Sequence, residues 1–66
     1  MSNHWHYQLM RHPDGSYAVH EMYPLDDGDA WTENPVSVTG ESFEDVKTSL
    51  LLMLGDIERY GVKDYE

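Results

Sequence analysis

Residues 4 to 12, HWHYQLMRH, alternate in character, with Trp5, Tyr7 and Leu9 on one side and His4, His6, Gln8 and Met10 on the other. A period of two with this much aromatic content predicts a half-buried strand whose apolar face is Trp5, Tyr7 and Leu9. Pro13-Asp14-Gly15 follows. Pro pre-sets φ at the second turn position, Asp suits the third and Gly accepts positive φ at the fourth. The segment therefore predicts a type I turn closed by a Gly bulge, leading into a second strand over residues 16 to 24. If His12 faces Ser16, then Leu9 opposes Val19, Tyr7 opposes Glu21 and Trp5 opposes Tyr23. The reverse face pairs Met10 with Ala18, Gln8 with His20 and His6 with Met22. A slip of one residue would exchange the faces of the second strand.

Pro24 to Asp29 reads as an acidic, turn-forming loop. Trp31 to Thr39 reads as a third, poorer strand, whose Pro35 implies either an edge position or a start near Asn34, with Val36 and Val38 on its buried face. Gly40 ends it. Ser42 then has the character of a helix N-cap, with Asp45 three residues on in an imperfect capping box and Glu41, Glu44 and Asp45 where the helix dipole favours anions. Phe43, Val46, Leu50, Met53, Leu54 and Ile57 recur at helical spacing and predict one apolar stripe. The helix should run to about Tyr60, with Gly61 as its C-terminal cap and residues 61 to 66 as a frayed tail. The architecture these elements predict is a single α+β domain over residues 1–66: a three-stranded antiparallel β-meander with one C-terminal helix packed on one face, in the order βββα.

Sixty-six residues leave no room for a second domain. A chain of this size buries only about 60 % of its extended surface on folding, near the lower limit for a domain that stands alone. There is no cysteine, so neither a disulfide nor a thiolate metal site staples the fold. A formal net charge of −9 argues against direct binding to nucleic acid or to an anionic membrane, both of which need a surplus of cations. No apolar run approaches the roughly 20 residues of a membrane span, and Met1-Ser2-Asn3-His4-Trp5 lacks the basic and apolar regions of a secretory leader. A cytoplasmic location is the resulting expectation.

Tyr7, Asp14-Gly15 with Tyr17 and Val19, Pro24, Val38, and Gly40-Glu41-Ser42 opening a helix at Phe43 together resemble the HicB-like antitoxin module, over about residues 5 to 58. The resemblance implies a fold of this kind and binding to a small ribonuclease toxin. The chain departs from the family pattern in two ways. It is expected to end where the family adds a fourth strand, parallel to the first, and a further helix. It also has no basic C-terminal extension for DNA.

Four histidines are the most chemically suggestive residues. His4, His6 and His20 fall on one sheet face at spacings that neutral imidazoles can use to hold Zn²⁺ or Ni²⁺. No fourth ligand lies near them, so the favoured reading is exposed polar side chains, with no metal and no cofactor; a His-based metal carrier remains a third reading. Asp26-Asp27-Gly28-Asp29 lacks the spacing and distal Glu of a calcium loop. No nucleophile elbow or phosphate-cradling loop is present, and His20 and Glu21 are adjacent on a strand, so they point to opposite faces. An enzyme is therefore not expected.

The run Leu50-Leu51-Leu52-Met53-Leu54 makes the middle of the helix apolar nearly all round, which suits a helix that also packs against a second body. Met10 and Met22 add a second semi-apolar surface on the reverse sheet face. The leading expectation is a non-enzymatic protein-interaction module, homodimeric and antitoxin-like, with Trp5, Tyr7, Met10, Leu51 and Leu52 as interaction residues. Dimerisation would use the first strand, expected to be an open edge, or the helix. The alternative is an acidic mimic of nucleic acid that inhibits a nuclease or a DNA-binding protein.

Overall fold

The computed structural model describes residues 4–65, so the expectations about the leader at Met1 to Asn3, and about Glu66 at the end of the tail, lie outside it. The first hairpin forms as its turn chemistry dictates. Strand β1 (His6–Arg11) pairs antiparallel with β2 (Tyr17–Leu25), with Leu9 opposite Val19, Gln8 opposite His20 and His6 opposite Met22. His12 and Gly15 close the turn through bonds to the Ser16 and His12 carbonyls. The Asp14 carboxylate accepts from both the N–H and the hydroxyl of Ser16, which holds its pKa below the ordinary value. Gly15 has φ +92°, with open space where a Cβ would sit, so its demand for glycine is conformational rather than steric.

The expected loop and third strand are displaced. Asp26 and Asp27 make a tight turn, β2 continues through Pro24 and Leu25, and β3 is Gly28–Trp31 rather than residues 31 to 39. Beyond Trp31 the chain still follows the β2 edge, but only through isolated bonds. Thr32 exchanges bonds with Glu21, and Val36 N–H reaches the Val19 carbonyl at 2.8 Å. Pro35, which has no N–H, sits between these contacts and breaks the ladder. Val36 is half-buried and Val38 exposed, so they do not form the expected buried face.

Helix α1 (Phe43–Tyr60) begins and ends at the expected caps. Ser42 Oγ accepts the Asp45 N–H at 3.1 Å, and Gly61 N–H reaches the Ile57 carbonyl at 2.9 Å. Gly40 is required here by close approach, because a Cβ on it would lie 2.7 Å from Asp45 Cβ.

Part of the tail expected to be frayed is instead paired. Val62–Asp64 forms β4, parallel to β1, with Leu9 opposite Val62. The sheet is thus four-stranded and mixed, in the order β3-β2-β1-β4, rather than a three-stranded meander. Strand β1 is central, so its expected role as an open edge for pairing with a second copy is also corrected. The Tyr7 N–H, which lies beyond the reach of β4, is taken up by Asp56 of α1 at 2.9 Å.

The sheet curls, and the curl decides the core. Lys63 on one edge strand lies 3.8 Å from Asp29 on the other. Tyr65 stacks on His12 with centroids 4.5 Å apart and meets Trp31 edge-on at 6.1 Å. The face enclosed is that of Gln8, Met10, His20 and Met22, all buried, whereas Tyr7, Leu9 and Val19 are half-buried. The expected assignment of faces is therefore inverted. The enclosed polar groups are paired, since Gln8 Nε2 donates to the Gly61 carbonyl at 2.8 Å and to that of Leu9 at 3.1 Å. Among the described residues no buried side-chain nitrogen or oxygen lacks a partner. Pairing of this kind is what makes burial of a polar face tolerable.

Two measurements check this. Gly15→Val should destabilise the domain by more than about 1 kcal/mol in urea titration, through backbone strain alone. Tyr65→Ala should cost about 2 kcal/mol, since the ring covers His12, His20 and Trp31. A frayed tail would make that substitution neutral.

Candidate functional site

The sheet side of α1 is a stripe of Val46, Ser49, Met53, Asp56 and Ile57, the helix residues that are buried or half-buried short of its last turn. Ser49 and Asp56 stand where the expected stripe had Leu50 and Leu54. Phe43, Leu50 and Leu54 are instead exposed, at 76 %, 51 % and 52 %. With Val46, Lys47 and Leu51 they line a shallow groove of about 410 Å³ along the outer side of the helix. At about 100° per residue its axis lies roughly 110° from the buried stripe, so the groove opens beside the sheet contact and shares Val46 with it. The Lys47 ammonium lies 6.0 Å from the centroid of the Phe43 ring. Such a patch on so small a body is the most conspicuous feature of its surface.

Of the expected interaction residues, Leu51 lines this groove and Leu52 does not. Leu52 is 57 % exposed but lies about 100° further round the helix. Trp5 is part exposed and forms an aromatic group with Tyr7, edge-on at 5.1 Å, and Tyr23, tilted at 6.4 Å. The Tyr23 hydroxyl donates to Glu21, and that bond raises the phenol's pKa. Met10 is fully buried, so neither it nor Met22 offers a surface on the reverse face. Phe43, Leu50 and Leu54 were not among the expected contact residues. Their spacing of seven and four residues carried the signal, but it reads equally well as a core stripe.

The histidines separate. His4 is exposed beside Tyr23, Pro24 and Leu25. His6 stacks on Tyr60 with centroids 3.6 Å apart. His20 is buried and bonded to His12, Nε2 to Nε2, at 2.9 Å. Among the described residues no three His, Asp or Glu side chains converge on a common metal position. The Thr32 carbonyl lies 2.8 Å from His20 Nδ1 and can only accept, so that nitrogen carries the proton. In the tautomer protonated only at Nδ1, His20 accepts at Nε2 and His12 donates from its own Nε2. Arg11 pairs with Asp64 at 2.8 Å beside this cluster, and the bond raises the guanidinium pKa.

Comparison of the chain with protein-family models, with curated proteins and with solved structures returned no match. No helix among the described residues is long and apolar enough to cross a membrane.

The tautomers are directly measurable. Long-range ¹H–¹⁵N correlation at neutral pH should show His20 protonated at Nδ1 and His12 at Nε2. The reverse assignment at His20 would dissolve the chain of bonds from His12 through His20 to Thr32.

Proposed function

We propose that this protein is a non-enzymatic interaction module that self-associates through the outer face of α1 and also docks a protein partner. The observation that carries this reading is the apolar groove: Phe43, Leu50, Leu51 and Leu54 are each more than half exposed on one side of a helix whose other side already covers the sheet. An amphipathic helix needs one apolar face, and a second marks a binding surface.

An antitoxin-like role, with a small ribonuclease toxin as the partner, rests on the sequence resemblance. The parallel strand β4 supports it by supplying the fourth strand of that family's pattern. The alternative of an acidic nucleic-acid mimic rests on the net charge of −9 alone.

Sedimentation equilibrium tests the reading. The weight-average mass should rise above 7.7 kDa with concentration in the micromolar range, and the melting temperature should rise with it. Leu54→Glu should weaken association at least about tenfold while leaving the far-ultraviolet spectrum intact, because the side chain is exposed in the monomer. A single 7.7 kDa species at about 100 µM, unchanged by Leu54→Glu, would overturn self-association through this face.

A further inference from the structure

Lys47, Leu51, Leu54 and Glu58 are spaced by four, three and four residues along α1. That is the a/d spacing of a coiled-coil seam, and at about 100° per residue the four fall within a band of roughly 60°. All four are exposed. Their order by type is cation, leucine, leucine, anion. Such a seam is self-complementary in one direction only. Run antiparallel to itself about a two-fold axis between Leu52 and Met53, it sets Leu51 against Leu54 of the other copy and Lys47 against Glu58 of the other copy. Run parallel, it sets lysine on lysine and glutamate on glutamate.

We infer that the occupant of the groove is a second copy of this chain, its helix antiparallel to the first, with two Lys47–Glu58 ion pairs closing the ends of a Leu51–Leu54 centre. The inference rests on the self-association proposed above and adds its geometry. Two observations favour a second copy over an unrelated partner. The seam carries its own complement, which a surface shaped for another protein has no reason to do. Lys47 is a lone cation in an apolar groove of a chain with only four Lys and Arg, and a copy brings the matching anion to it. Phe43 and Leu50 flank the seam on its sheet side and widen the contact.

Charge reversal distinguishes this arrangement from any other. Lys47→Glu places two glutamates at each end of the dimer, and Glu58→Lys places two lysines there. Each variant alone should associate about tenfold more weakly than the native chain in sedimentation equilibrium at fixed salt. The Glu58→Lys result is the sharper one. That change reduces the net charge from −9 to −7, so general repulsion between copies would predict tighter association, not weaker. The double variant Lys47→Glu/Glu58→Lys should return to within about twofold of the native chain. An equimolar mixture of the two single variants should form a heterodimer of near-native affinity, because both of its end pairs are then complementary. The mixture also serves if either single variant is poorly folded alone, since its mass reports association of the pair.

Dimerisation of the native chain with both single variants unaffected overturns the antiparallel register and leaves self-association standing. Weakened single variants without rescue in the double variant or in the mixture also overturn the register. A native chain that stays monomeric at about 100 µM overturns both.

Discussion

The hydrogen bond from Tyr65 N–H to the Arg11 carbonyl, 2.9 Å long, continues the pairing of β4 with β1 past Asp64. It places the Tyr65 ring over His12 and His20 and within reach of Trp31 on the far edge strand. Without that closure the face of Gln8, Met10, His20 and Met22 would be half of an open sheet. With it, a curl of four short strands encloses two methionines, an imidazole and an amide, each polar group with a partner. The unbranched, polarizable methionine side chains suit so irregular a space. A wider sheet or a longer helix would be the ordinary way to cover such a face; here the terminal strand and one tyrosine do it.

This closure explains which parts of the fold were legible in the sequence. The first hairpin was, because Pro13-Asp14-Gly15 leaves the backbone one economical turn and that turn fixes every pair from Arg11 opposite Tyr17 to His6 opposite Met22. The helix was, because Ser42 and Gly61 carry their capping chemistry locally. The inside of the sheet was not. One face of β1 offers Tyr7 and Leu9 and the other Gln8 and Met10, and hydrophobicity ranks the first as the core. The choice was made by Tyr65 and Gly61, more than 50 residues away. Strand β4 was missed for the same reason: three residues, Val-Lys-Asp, carry almost no strand signal, and they pair only because β1 has a free edge beside the helix end. Strand β3 was misplaced because Asp26-Asp27-Gly28 works as a tight turn within a composition that reads as a longer loop.

The helix shows a different kind of ambiguity. Leu50 and Leu54 were expected to point at the sheet, yet the residues that do so include Ser49 and Asp56. Asp56 faces inward because the Tyr7 N–H, left without a strand partner, needs an acceptor there. That single polar requirement helps set the rotation of α1, and the rotation carries Phe43, Leu50 and Leu54 out of the core. A hydrophobic-periodicity argument cannot see this, since the five apolar residues from Leu50 to Leu54 fit a stripe at almost any azimuth.

The same rotation ties assembly to folding. A 66-residue domain buries only about 60 % of its extended surface, and this one gives part of its core to His20 and Gln8 while leaving five large apolar helix residues more than half exposed. The missing hydrophobic contribution is therefore present in the sequence but stands on the outside of the fold. Covering it with a second copy would recover part of that burial at every leucine in the seam. In that arrangement the polar interior and the apolar exterior are two sides of one constraint: Asp56, which completes the sheet edge, stands across the helix from Leu51 and Leu54.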